Sequence, residues 1–183
     1  MPHITMSPEL PPGTPGLFQY RPETGRPMAE LAEVLLRNAH SMSRGDRELI
    51  AAYTSALNHC GFCVNTHREV SARQHPDGRE LVEKVLADVD SAPISEKLRS
   101  LIKIAGAVAR SGGDVTEQMV TNARNAGATD TEIHDTVLIA AAFCMFNRYC
   151  DGLAALTPDD PAAYPPMAEM IINEGYRMCA VGH

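Results

Sequence analysis

The sequence predicts an all-α fold, a multi-helix bundle of seven or eight helices with short connections. Three observations predict it. Apolar residues recur at spacings of three and four through most of the chain. Ser43, Ser95 and Thr129, good helix-start residues, stand directly before such stretches. No stretch alternates apolar with polar as a strand does, or carries a hairpin turn signal.

The elements follow in order. Residues 1–27 are rich in Pro and Gly without periodicity, and read as an extended arm lying on the body or on a neighbouring subunit. Residues 28–183 read as one helical domain. Pro27 opens the first helix, "MAELAEVLLRNAHS", because proline fits a first helical position. Ser43 caps the next, "GDRELIAAYTSALNH", in which Leu49, Ile50, Tyr53, Ala56 and Leu57 form one apolar stripe. Gly61 interrupts that pattern, and "CVNTHREVSARQ" follows and stops before Pro76. Glu48–His59 and Cys63–Gln74 are therefore expected to form an antiparallel helical hairpin with its bend near Gly61. "GRELVEKVLADVD" is amphipathic. "SEKLRSLIKIAGAVARSGG" starts at Ser95 and stops at two glycines. Capping boxes are expected at Asp114/Glu117 and at Thr129/Glu132. The helix after Thr129 is apolar nearly all round at its middle and is expected to run through the centre of the body. A last helix lies around "PPMAEMIINEGYRMC".

The chain has 183 residues, 44% of them apolar and 21% charged, which suits a soluble globular protein with a core of its own. Its net charge of −7 and the lack of a basic cluster argue against nucleic-acid partners and anionic membrane surfaces. The N-terminal prolines do not fit a secretory signal. The longest apolar run, Val137 to Phe146, is far short of the roughly twenty residues a bilayer crossing needs. A cytoplasmic location is expected. The nine methionines read as core filler rather than a cofactor box, and no cofactor is implied. Cys144, Cys150 and Cys179 read as small buried apolar residues.

The chemistry concentrates in "ELIAAYTSALNHCGFCVNTH", Glu48 to His67. Four residues along a helix bring side chains about 40° apart and one turn on, so His67 can reach the Cys63 sulfur. Cys60 stands close enough to Cys63 for a short-loop disulfide. A helix N-terminus favours a thiolate, and lowering a thiol pKa by about two units corresponds to about 2.7 kcal/mol of preferential stabilisation. Glu48 lies one hairpin length back, where it can approach His67, fix its tautomer and raise its basicity. The reading is a Glu48–His67–Cys63 relay with Cys60 as partner sulfur.

The spacing E-x11-C-x2-C-x3-H resembles the active-site signature of the AhpD-type alkylhydroperoxidases, within the carboxymuconolactone decarboxylase superfamily. The wording "AGATDTEIHDTVLIAAAFCMFNRYCDGL" and the terminal tyrosine segment resemble its peroxidase-related subgroup, and the likeness covers roughly residues 25–178. The resemblance implies an AhpD-like helical bundle assembled as trimers or hexamers, reducing alkyl hydroperoxides. It makes Cys63 the peroxide-attacking thiolate, Cys60 the resolving thiol, and Glu48 and His67 the proton shuttle. An external dithiol, a lipoyl or thioredoxin-like protein, would restore the pair. The sequence departs in one place: Phe62 stands where better-known members carry a histidine between the cysteines, and a phenylalanine relays no proton.

Other readings compete. Cys60, Cys63, His67 and Glu48 could ligate zinc in a non-enzymatic module, although structural zinc sites usually draw on two separated pairs and no second C-x-x-C exists. Some relatives decarboxylate a lactone and need no cysteine pair. The four residues could also be structural.

Overall fold

The structure, a computed structural model, describes residues 2–181. Among the described residues there are nine α-helices and no strand. None of the helices is long and apolar enough to cross a membrane.

The N-terminal segment departs from the extended arm expected for residues 1–27. It is irregular to Pro12, then forms α1 (Gly13–Tyr20), and α2 (Pro22–Arg37) has already begun before Pro27. Pro22 takes the opening position, and Pro27 lies inside the helix. Tertiary burial accounts for this: Leu17 is fully buried, and Phe18 packs edge-on against Phe146 with ring centroids 6.2 Å apart. Burial stabilises a helix too short to hold by itself. The segment lies on its own body, where the His3 amide donates to the Leu153 carbonyl and the Gly13 amide to that of Leu156.

Helices α3 (Arg44–Leu57) and α4 (Gly61–Gln74) form the expected antiparallel hairpin. The Ser43 hydroxyl caps α3 by accepting from the Asp46 amide at 3.0 Å. At the open end, the Ser71 hydroxyl donates to the Gly45 carbonyl at 3.0 Å. A Cβ at Gly45 would come within 2.8 Å of the His75 ring, so glycine permits that approach. Helix α5 (Gly78–Ala87) packs on α4, and α6 (Glu96–Arg110), capped by Ser95, packs on α3.

Helix α7 (Glu117–Asn125) begins two residues after Val115, and its cap is not Asp114. Thr116 caps it by accepting from the Met119 amide, while Asp114 ends a short 3-10 turn and pairs with Arg110. Helix α8 (Asp130–Gly152) opens with the expected capping box of Thr129 and Glu132. One side of α8 carries Ile139, Phe143 and Phe146 into the core, but a stripe of His134, Leu138, Ala141, Met145 and Arg148 faces outward. The helix therefore lies against the core rather than running through it.

The last expected helix is broken in two. Helix α9 (Tyr164–Glu174) stops at Gly175, whose φ of 96° ends it, and a 3-10 turn (Tyr176–Ala180) returns along α2. Buried Glu33 of α2 holds this turn, accepting from the Tyr176 amide at 2.7 Å. Arg37 ties Glu33 to the carbonyls of Ile171 and Ile172.

Candidate active site

The site begins with how α3 ends. His59 adopts a left-handed φ of 61°. Its amide bonds the Ala56 carbonyl at 3.0 Å, and the Cys60 amide bonds that of Ser55 at 3.1 Å. These two bonds around a left-handed residue form a Schellman turn, which satisfies carbonyls that a helix end leaves open. The reversal thus turns on His59, and Gly61 is the first residue of α4 rather than the interruption. The turn delivers Cys60 to the N-cap of α4, and Cys63 follows in its first turn.

One turn further, His67 Nδ1 lies 2.8 Å from Glu48 Oε2. Glu48 and His67 come from opposite arms of the hairpin, as the spacing predicts, and both are buried. An ionised carboxylate only accepts, which assigns the Nδ1 proton to this bond and leaves Nε2 with its lone pair. The second Glu48 oxygen is also engaged: the Tyr176 hydroxyl donates to Oε1 at 2.6 Å and lies 3.3 Å from His67 Nδ1. Burial, then the Glu48 charge, pushes the Tyr176 hydroxyl well above its ordinary pKa, so it remains a donor. The imidazole is stacked on the Tyr176 ring (centroids 5.9 Å, interplanar angle 18°) and met edge-on by Phe143 at 4.5 Å. These contacts fix its orientation.

The sulfurs form a second cluster. Cys60, Cys63 and Cys150 place their Sγ atoms within 4.8 Å of one another, and all three are buried. Cys150 arrives from the end of α8, where another turn of the same kind closes the helix: the Ala155 amide bonds the Cys150 carbonyl and Ala154 has φ 48°. The thiols of Cys150 and Cys63 both hydrogen-bond to the Cys60 sulfur, which lowers the Cys60 pKa well below the ordinary thiol range. The contact with Cys150, then that with Cys60 and burial, push Cys63 up; the contact with Cys60, with burial, pushes Cys150 up. Within the cluster, Cys60 at the N-cap is the sulfur whose pKa is held down. The spacing that predicts a Cys63 thiolate does not include the third thiol, which adds a second thiol contact to Cys60. Burial and the hydrogen bond to Cys60 push the Asp151 carboxyl up to about 7.

Between the two clusters lies a narrow cavity of about 30 Å³, walled by Cys63, His67 and Tyr176 together with Phe143 and Met167. That is room for about one water. Cys63 and His67 share this wall; Cys60 and Glu48 are not part of it. Phe62 turns away from a relay role. Its ring packs near Tyr164 (centroids 6.3 Å) and against Gly13, in the apolar cluster that also holds Leu17.

The zinc set considered from sequence does not assemble. His67 is occupied by Glu48, and neither belongs to the group of three thiols. Three residues of the site escaped sequence reasoning. Cys150 and its neighbour Asp151 have no spacing signal to the motif, and Tyr176 was marked only as part of a terminal segment resembling relatives.

Comparison with known proteins places this arrangement. The model of the carboxymuconolactone decarboxylase family matches residues 22–89 and 76–158. No curated protein matches the chain. Among solved structures, the chain is similar to an uncharacterized peroxidase-related protein with an alkylhydroperoxidase AhpD core from Ralstonia eutropha JMP134. The TM-score is 0.71 at 23% identity, over 90% of this chain and 78% of that one. It is similar to an uncharacterized peroxidase-related protein from Silicibacter sp. TM1040 (TM-score 0.74, 23% identity, 84% of this chain and 78% of that one). It is also similar to the debrominase Bmp8 (TM-score 0.67, 16% identity, 86% of this chain and 83% of that one). At these identities the likeness speaks for an AhpD-like helical fold.

Proposed function

The chain belongs to the carboxymuconolactone decarboxylase family, and we propose that within it this protein is a thiol-dependent peroxidase that reduces hydroperoxides through the Cys60/Cys63 couple. The observation that carries the reading is the shared wall: Cys63 and an imidazole held by Glu48 at 2.8 Å line one small cavity, and the Cys60 sulfur lies within 4.8 Å of that of Cys63.

The steps follow from those positions. His67 Nε2 takes the Cys63 proton. The Cys63 thiolate attacks the terminal oxygen of the hydroperoxide, the O–O bond breaks, and the leaving alkoxide takes the proton from the imidazolium. Cys63 is then a sulfenic acid. The Cys60 thiolate attacks that sulfur, the S–S bond forms, and hydroxide leaves as water with a proton returned through His67. An external dithiol, of the lipoyl or thioredoxin-like kind, reduces the disulfide and becomes a disulfide itself. In this reading the lowered Cys60 pKa serves resolution, while Cys63 depends on its base. A reducing cytoplasm suits such a couple. Lactone decarboxylation fits less well, since the cavity wall holds no lysine or arginine to bind an acid among the described residues. The outward stripe of Leu138, Ala141 and Met145 on α8 supports assembly of several copies, a trimer or hexamer, which light scattering would test against a monomer.

The test is hydroperoxide consumption with a dithiol donor by the wild type, Cys63→Ser and Cys60→Ser. Cys63→Ser is expected to abolish turnover, and Cys60→Ser to stop after one equivalent with a trapped sulfenic acid. Equal rates in all three would remove the peroxidase reading.

A further inference from the structure

The peroxidase reading uses two of the three clustered sulfurs. The third, Cys150, is a buried nucleophile with no part in it. Its position is well defined: Cys60 and Cys150 each sit at a hydrogen-bonded helix-end turn, one closing α3 and the other closing α8. The Cys60 sulfur is therefore faced by two thiols, Cys63 from its own helix and Cys150 from across the bundle, with all three sulfurs within 4.8 Å. The surroundings are apolar, with Leu17, Phe62, Ala155 and Tyr164 in the same cluster. From within 4.8 Å, either pair closes to the roughly 2 Å of an S–S bond to form its disulfide.

We propose that Cys150 is a third redox thiol of this site, which exchanges into the Cys60–Cys63 disulfide to form a Cys60–Cys150 disulfide. The proposal rests on the reading of Cys60 and Cys63 as a redox pair. The exchange needs no added oxidant or reductant. Cys150 gives up its proton and its thiolate attacks the Cys60 sulfur. The Cys60–Cys63 bond breaks, the Cys60–Cys150 bond forms, and the electron pair leaves on Cys63, which takes up the proton. The oxidation level is unchanged, but its location is not. Cys63 returns to the cavity wall as a thiol able to meet a second hydroperoxide, while the oxidised bond is stored between α4 and α8. The two disulfides also differ in what they constrain. The first closes a loop within one helical turn, and the second ties together segments far apart in the chain. The entropy lost by the unfolded chain grows with loop length, so the exchanged form is the more heat-resistant.

The test uses the full-length protein, fully reduced and then oxidised with diamide, which takes two electrons and two protons from a thiol pair and so does not depend on peroxidase activity. After acid quench and alkylation, non-reducing peptide mapping reads the linkages. The expected result is a cross-linked peptide pair joining Cys60 to Cys150 beside the Cys60–Cys63 species. In Cys63→Ala it should be the sole disulfide, with a melting temperature raised above that of the reduced variant. Wild-type protein that yields only Cys60–Cys63, with Cys150 fully alkylated, would overturn the proposal. So would free Cys60 and Cys150 in oxidised Cys63→Ala. If hydroperoxide is not consumed but the Cys60–Cys150 link forms with diamide, the peroxidase reading fails and this one stands.

Discussion

Replacing Tyr176 with phenylalanine removes one oxygen atom from the site and leaves the ring that stacks on His67. The hydroxyl donates at 2.6 Å to Glu48 Oε1, and both groups are buried. A hydrogen bond to a charged group contributes about 1.5–3 kcal/mol, and its loss leaves a buried carboxylate oxygen without a partner. The expected cost is about 2 kcal/mol, because the ring's packing is retained. For a chain of this length that corresponds to a fall in melting temperature of about 4–8 °C. In urea, with a slope of about 2 kcal/mol/M, the midpoint falls by about 1 M. The substitution also acts on chemistry. With one donor gone, Glu48 holds the imidazole less firmly. The rate of Cys63 alkylation or turnover should therefore fall. A double-mutant cycle with Glu48→Gln isolates the pair, and a coupling energy above about 1 kcal/mol is expected. A stability loss below about 0.5 kcal/mol together with an unchanged rate would refute the view that Tyr176 holds Glu48 for the histidine.

Two further outcomes follow from the fold around the site. Glu132 is buried, yet its pKa is lowered to about 2: burial raises it, and the Thr129 amide, Lys97 and Ser41 together outweigh burial. A folded pKa below the unfolded 4.5 gives stability that is complete above about pH 4.5 and lost as pH falls towards 2. Glu132→Gln should cost on the order of 3 kcal/mol at neutral pH and flatten the acid unfolding curve over that window, measured by denaturant titration at stepped pH. Gly13 has a φ of 69°, and a Cβ there would lie 2.2 Å from the Phe62 ring. Gly13→Ala should destabilise by about 2 kcal/mol or more and alter the reactivity of the adjacent Cys63, whereas Gly112→Ala, where a Cβ meets nothing, should not act on Cys63 at all.

How much of this was legible in the sequence depended on how local each cause is. Ser43, Ser95 and the Thr129/Glu132 box marked helix starts correctly, because a cap is a bond between residues three apart. The Asp114 start was misplaced by two residues, since Thr116 competes for the same role and the Arg110 pair draws Asp114 away. Gly61 marks the bend in the sequence because it interrupts the apolar pattern, but the hydrogen bonds of the turn place the left-handed residue at His59. Helix α1 was missed because a segment of that length holds together only through the burial of Leu17 and Phe18.

Residue spacing alone specifies the helical hairpin and, with it, the meeting of Glu48 and His67. Both follow from helical geometry and a short connection. The gathering of three sulfurs is a matter of packing between distant helices. Cys150 comes from α8, and nothing in the spacing from Cys63 to Cys150 encodes that approach. The packing of α8 against α3 brings the third thiol to Cys60, and contacts from the two other thiols hold the Cys60 pKa down.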